Sequence, residues 1–277
     1  MIEGKAREKR MGVNYVINID RMPQRLEWMR SEFSRLGMKF ERVKGVDGSA
    51  MAPEALAKFS TLRPIVNPQR SQWIAAEIGC FLSHFAAWKA IAEADDDMAT
   101  VFEDDLHLSP RLRRFVTDFG WVPADADVVR LVTAVSGIGM GKPVAVCDGI
   151  SVRKVFTSAW DAGAYILKRD VAHWLTSTPA RYQTTVDQFL FHKSKSPVGR
   201  ALSVYQLDPA PCVQDSMLPR PRFDARLIST MDPFKDDLVR FGRFRWKRRN
   251  PLYLLVRPVA RKLYRRQTVP FADTEKR

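Results

Sequence analysis

Between Val13 and Val43 the chain reads as strand, helix, strand, an order that leaves few folds open. Val13 to Ile19 is a short apolar run of the kind that makes a buried strand. After Pro23, Leu26, Met29, Phe33 and Leu36 recur at helical spacing, and Gly37 supplies a C-terminal stop. Lys39 to Val43 is a second extended run, closed by a turn at Asp47 and Gly48. A helix that carries the chain from one strand to the next makes the two strands parallel, and a parallel sheet must be covered by helices. The expected class is therefore α/β. No glycine-rich loop follows the first strand, which removes the dinucleotide fingerprint and the P-loop from consideration.

The same alternation continues. Residues 49–73, with Pro53, Pro64 and Pro68, read as an excursion without assigned elements. A long helix is expected over 75–93, with Ile78, Phe81, Leu82, Phe85, Trp88 and Ile91 on its apolar face. Further strands are expected at 98–102, 127–132 and 165–167, with a weaker pair over 144–155. A Pro110-led basic helix to about Phe119 and a helix over 170–175 lie between them. Beyond Gln214, Pro219, Pro221 and Pro233 mark a linker. The expected division is an N-terminal extension over 1–11, a domain over 12–215, and a linker with a basic segment over 216–277.

The chemistry concentrates where the apolar run Met98–Phe102 ends in Glu103, Asp104 and Asp105. Three adjacent carboxylates repel one another and resist burial, so stability alone does not call for them. Alternation along a strand points Glu103 and Asp105 the same way, roughly 6–7 Å apart. Two such oxygen ligands can hold a divalent cation whose other positions go to water and phosphate. Ligands in open α/β sheets bind at the carboxyl ends of strands, where Asp20, Arg21 and Arg25 also fall. Arginine beside a metal-binding acid pair suits a diphosphate. A solvated acidic turn and an ordinary surface helix start are the plainer readings of the same residues. Asp95, Asp96 and Asp97 read as a solvated turn.

Charge needs locating before it is interpreted. Of the net +14, eleven charges lie between Arg240 and Arg266, a stretch with no acid. Phe241, Phe244, Trp246, Tyr253, Leu254, Leu255 and Tyr264 are interleaved with them. This texture suits an anionic membrane surface, with nucleic acid as the less economical partner and a solvated tail as the plain alternative. Pro251 and Pro258 argue for short helical pieces lying on that surface. Three widely spaced cysteines make no disulfide framework, which favours a reducing compartment. The polar first ten residues do not resemble a secretory signal, and no run approaches the ~20 apolar residues that span a bilayer. The expected location is cytoplasmic and peripheral on the inner face of the membrane.

Five segments in order carry a family resemblance. Residues 15–25 (YVINIDRMPQR) resemble the opening motif of glycosyltransferase family 25, the lipooligosaccharide-type galactosyltransferases. Residues 77–84 (EIGCFLSH) resemble its helical motif and 101–106 (VFEDDL) its acidic strand end. Residues 164–169 (AYILKR) and 186–190 (VDQFL) are similar to two later segments. The resemblance implies a GT-A type, Rossmann-like, mostly parallel sheet flanked by helices, and a nucleotide-sugar donor, typically UDP-galactose. It also implies transfer to a hydroxyl of a growing glycan or glycolipid, usually with inversion and often with Mn²⁺ (or Mg²⁺). Carried residue by residue, it suggests Asp20, Arg21 and Arg25 near the nucleotide. It suggests Glu103 and Asp105 at the metal, Asp104 at the diphosphate, and Asp187 near the sugar. Ahead of Ala164 the family usually shows a Gly-Thr-His-like triplet, whereas this chain has Asp161, Ala162 and Gly163. Asp161 thereby becomes a further carboxylate candidate.

Inverting transfer needs one base to take the acceptor's proton. Asp187 is the first choice for it and Asp161 the second. Glu77, Ser83 and His84 are expected to hold the acidic loop or contact the donor. Cys80 and His84, four residues apart, supply two soft ligands without an evident partner pair, so no zinc site is expected. Trp73, Trp88, Trp160 and Trp174 are expected in the core, with Trp160 able to stack on a sugar. Two other functions compete: a metal-dependent sugar nucleotidyltransferase, and a non-catalytic protein that binds nucleic acid or an anionic surface.

Overall fold

A computed structural model describes residues 12–59, 68–178, 184–218, 227 and 266–273, with the backbone alone over 68–74. The opening unit is as expected: β1 (Asn14–Asn18), α1 (Pro23–Arg35) and β2 (Glu41–Lys44), with β1 and β2 parallel. Pro23 starts α1, where its missing N–H costs nothing. Gly37 ends the turn after it at φ 60°, a conformation cheap only for glycine.

The excursion after β2 contains α2 (Pro53–Phe59), and the long helix, α3 (Pro68–Glu93), begins earlier than the apolar periodicity suggests. Then come β3 (Met98–Phe102), β4 (Leu106–Leu108), α4 (Leu112–Thr117), β5 (Val128–Arg130), β6 (Ala134–Cys147), β7 (Ile150–Val155) and β8 (Ala164–Lys168). The remainder is α5 (Arg169–Thr176), α6 (Val186–Phe191), α7 (Pro197–Ala201), β9 (Val204–Asp208), β10 (Cys212–Gln214) and β11 (Arg266–Val269).

Nine strands form one sheet in the order β11-β6-β7-β9-β5-β8-β3-β1-β2. Strands β2, β1, β3, β5, β9 and β6 run one way, and β8, β7 and β11 the other. Side chains alternate across this sheet into two cores. One holds Tyr15, Ile17, Val101 and Leu167 under α3, α5 and α6, with Trp88 fully buried. The other holds Val16, Phe102, Val129 and Ile166 under α1 and α4. Each fully buried large side chain here contributes roughly 1.5–3 kcal/mol.

Three expectations change. The weak strand pair is a long hairpin, because β6 starts at Ala134. Trp174 is 47% exposed and Trp160 40%, Trp88 is in the core, and the Trp73 side chain lies outside the described residues. The expected end of the domain at 215 does not end the fold. β11 returns to pair with β6 through Arg266–Gly139 and Gln267–Ile138, Val269 is buried, and Ser109 Oγ donates to Asp273 at 2.7 Å. The rest of the basic segment lies outside the described residues, as do residues 1–11.

Candidate active site

β1 and β3 are parallel neighbours, so their carboxyl ends open side by side. A cleft lies there with about 870 Å³ of empty space, part of it continuous with solvent. Its walls are Asn18, Arg21 and Arg25, the Asp47–Gly48 turn, Cys80, Ser83 and His84 on α3, Glu103 to Asp105, and Gln214 with Ser216.

The three acids do different things. Asp104 is tied down: Asn18 Nδ2 donates to its Oδ2 at 2.6 Å and Arg25 Nη1 to its Oδ1 at 2.9 Å. Burial raises the Asp104 pKa although Arg25 and Asn18 pull the other way. Arg25 also donates to the Leu227 carbonyl at 3.0 Å and lies 4.0 Å from Asp105 Oδ2. Burial works against its charge, but Asp105 and Asp104 outweigh it and raise the Arg25 pKa.

Glu103 accepts from Gln214 Nε2 at 2.8 Å, and its other oxygen meets His84 Nε2 at 3.2 Å and Cys80 Sγ at 3.8 Å. Burial opposes its ionisation, yet His84, Arg25 and Gln214 together lower its pKa. Asp105 goes the opposite way. Burial first, and then the Glu103 charge, push its pKa well above the usual range, and its buried Oδ1 has no hydrogen-bond partner among the described residues. An ionised carboxylate beside one driven toward neutrality, with an oxygen left over, suits a bound cation that would let both ionise.

His84 is held from behind. Its Nδ1 lies 2.8 Å from the Tyr165 hydroxyl, which accepts from Trp88 Nε1 at 2.8 Å. Because the Glu103 carboxylate only accepts, Nε2 of the neutral ring carries the proton and Nδ1 accepts from Tyr165. Ser83 Oγ accepts from Val46 N at 2.8 Å and donates to the Gly79 carbonyl at 2.7 Å, tying the turn to α3. There the two backbones touch. A Cβ on Gly48 would meet the Ala75 carbonyl oxygen at 1.7 Å, and one on Gly79 would meet Gly48 N at 2.5 Å. Asp47 takes the Arg21 guanidinium as its partner.

Other expected residues fall elsewhere. Asp20 faces β2, paired with Arg42 at 2.6 Å and Lys44 at 2.7 Å, and is not part of the cleft wall. Glu77 is buried on α3, also outside that wall. Asp161 and Asp187 lie together beyond Glu103, whose N–H donates to the Gly163 carbonyl at 2.7 Å. Asp161 has left-handed backbone, φ 74°, which costs a non-glycine residue energy. Its N–H donates to Asp187 Oδ2 at 3.3 Å, its carbonyl accepts from Arg130 Nη2 at 3.0 Å, and its Oδ1 accepts from Gly163 N at 2.7 Å. Burial and the Glu103 charge push the Asp161 pKa up to about 7, against the pull of Arg130. Asp187 Oδ1 accepts from the Thr185 hydroxyl and from Gln188 N at 2.8 Å.

Cys80, Gln214 and Arg130 were not expected here. Arg130 is fully buried, donates to Gln206 Oε1 at 2.8 Å, and has its pKa lowered to about 10 by burial, so it remains a cation. Its signal was visible as one charge inside the apolar run Val128–Val132.

Comparison with known proteins bears on this cleft. The model of glycosyltransferase family 25 (LPS biosynthesis protein) matches residues 11–190. The chain is 24% identical over 268 residues to the lipooligosaccharide biosynthesis protein lic2B of Haemophilus influenzae, covering 92% of this chain and 96% of that one. It is 26% identical over 216 residues to the lacto-N-neotetraose biosynthesis glycosyltransferase LgtB of Neisseria meningitidis serogroup B, covering 73% and 75%. Among solved structures, the inositol-1-phosphate CTP transferase of T. maritima aligns at a TM-score of 0.43 and 10% identity, covering 82% and 97%. That likeness is too distant to argue from.

Proposed function

The chain belongs to glycosyltransferase family 25, and on that premise we propose that it moves a hexose from a nucleotide sugar to a hydroxyl of a lipopolysaccharide-like or other surface glycan. UDP-galactose is the donor we favour, with inversion at the transferred carbon. The observation that carries the reading is the acid triplet Glu103–Asp105, set in a cleft at the carboxyl ends of two parallel strands with Arg21 and Arg25 beside it. Glu103 and Asp105 would hold a divalent cation, Mn²⁺ or Mg²⁺, which would supply neutralising charge for the departing diphosphate. The buried, unpartnered Asp105 Oδ1 fits that role. Arg21, 42% exposed beside Asp47 on the cleft wall, is the donor for phosphate oxygens. Arg25 acts by fixed charge from below.

For the base we favour Asp161 over Asp187. A pKa of about 7 leaves Asp161 able to take a proton near neutrality. Asp187 already accepts hydrogen bonds on both oxygens, one of them from the Asp161 N–H, which makes it a holder of Asp161. The acceptor hydroxyl's proton passes to Asp161 as its oxygen bonds to the sugar carbon and the nucleotide diphosphate leaves.

Among the described residues no helix is long and apolar enough to cross a membrane. We propose that Arg240–Arg266 contacts an anionic membrane surface near a glycolipid acceptor, placing the enzyme peripherally on the cytoplasmic face. Nucleic acid is the partner this reading sets aside. The test is UDP release from a panel of UDP-hexoses, with Mn²⁺ or with EDTA, for wild type and Asp105→Ala. Metal-dependent release from one sugar, lost in the variant, is expected. No turnover with any donor and metal, even with a glycolipid extract present, would overturn the proposal.

A further inference from the structure

Beside the hard carboxylate pair stands a second, softer set of ligands. We propose that Cys80, His84 and Glu103 form a binding site for a thiophilic divalent cation of the Zn²⁺ type, with its fourth position open to the cleft.

The spacing is that of a coordination tetrahedron. With metal bonds of about 2.3 Å to sulfur and about 2.0–2.1 Å to nitrogen and oxygen, tetrahedral edges are about 3.5 Å for sulfur–oxygen and about 3.3 Å for nitrogen–oxygen. Cys80 Sγ lies 3.8 Å from Glu103 Oε1, and His84 Nε2 lies 3.2 Å from the same oxygen. All three ligand atoms fall within 4.8 Å of one another. Cys80 and His84 are one turn apart on α3 and so present sulfur and nitrogen on one face. Small shifts, not rearrangement, would bring the three onto one ion.

Each of two ligands is also oriented by a group behind it, as built metal sites require. Tyr165 holds the far nitrogen of His84 at 2.8 Å, and Gln214 holds the far oxygen of Glu103 at 2.8 Å. All three ligands line the cleft, so solvent can deliver the ion and fill its last position. Binding releases the Cys80 thiol proton to solvent. The imidazole proton moves from Nε2 to Nδ1, the Tyr165 hydroxyl turns its own hydrogen off the ring so that its oxygen accepts from Nδ1, and the freed Nε2 lone pair takes the metal. Thiolate and imidazole select Zn²⁺ over Mg²⁺ or Mn²⁺. Because Glu103 belongs to both sets, an ion on the soft set withdraws it from the hard one. That consequence for transfer rests on the donor reading above; the site itself does not.

The test is a titration of the full-length protein with Co²⁺, followed by Zn²⁺ as competitor, read by the thiolate-to-cobalt charge-transfer absorption. One equivalent with that band, displaced by Zn²⁺, is expected. Cys80→Ser should abolish the band and weaken binding by at least about tenfold, the loss that even outer-shell changes cause. Cys147→Ser should keep both. A folded wild type without the band, or a band that survives in Cys80→Ser, would overturn the site. The wild-type measurement stands without any variant. No donor is present, so its failure is separate from failure of transfer.

Discussion

Replacing Arg25 with Met keeps much of the side chain's volume and removes its charge. Arg25 is 8% exposed, and its guanidinium holds Asp104 at 2.9 Å and the Leu227 carbonyl at 3.0 Å. Its loss leaves Asp104 between Glu103 and Asp105 in a buried site with no cation bonded to it. Breaking a buried ion pair from one side costs about 3–5 kcal/mol. A ceiling applies here, because Asp104 can take a proton instead of staying charged. Protonating a carboxyl of ordinary pKa near 3.9 costs at most about 4 kcal/mol at pH 7 and about 1.5 kcal/mol at pH 5. The lost bond to Leu227 adds about 1 kcal/mol at either pH. The sign follows from linkage. In Arg25→Met the folded-state pKa of Asp104 rises further above its unfolded value, so stability is greatest in acid and is lost as pH rises toward neutrality. The destabilisation relative to wild type should therefore shrink by up to about 2.5 kcal/mol between pH 7 and pH 5. Urea denaturation of both proteins at the two pH values measures it. A difference that does not change with pH, or one below about 1 kcal/mol throughout, would refute Arg25 as the counter-charge of the acid cluster.

If Asp161 is the base, kcat/KM rises with pH through about 7 as its carboxyl ionises. Asp161→Asn should then remove that limb and lower the rate by about 10²–10⁴; a limb that persists in the variant refutes the assignment. Tyr165→Phe leaves the buried Trp88 N–H and His84 Nδ1 without their partner and should cost about 2–4 kcal/mol in denaturant. Gly79→Ala drives a Cβ into the Gly48 backbone and should cost at least about 1–3 kcal/mol while raising the donor KM. Gly37→Ala, which meets only the end of the Arg113 side chain at 3.5 Å, should cost about 1 kcal/mol with KM unchanged. Equal KM in both alanine variants would separate the turn from the cleft.

What could be read from the sequence was whatever rests on short-range periodicity. The β1–α1–β2 unit, α3 with its apolar face and β3 with its acidic end all follow from spacing of two or about three and a half residues. β6 escaped because Gly137, Gly139, Gly141 and Pro143 interrupt it, and such residues argue against a strand unless it runs near a sheet edge. β4 is three residues long and exists only through its pairing with β10. In the site, the strand-end rule located Glu103, Asp105, Arg21 and Arg25 in one cleft. It could not divide their labour, because Asp104's bonds come from Asn18 and Arg25, and Glu103's from Gln214 and His84, at long sequence separations. Asp20 sat at the right strand end but found nearer cations on β2.

The return of the chain into the sheet at β11 changes what a deletion would mean. Cutting after residue 215 to remove the basic residues would also strip a strand from β6, uncover Val269, and take Gln267 from Arg153 and Asp273 from Ser109. Loss of membrane binding in such a truncation would be inseparable from loss of a sheet edge, so the cations must be excised internally or neutralised in place. It also bears on posture. The cationic stretch is bounded on both sides by residues packed in the domain, so a surface gripping it would hold the body by two anchors.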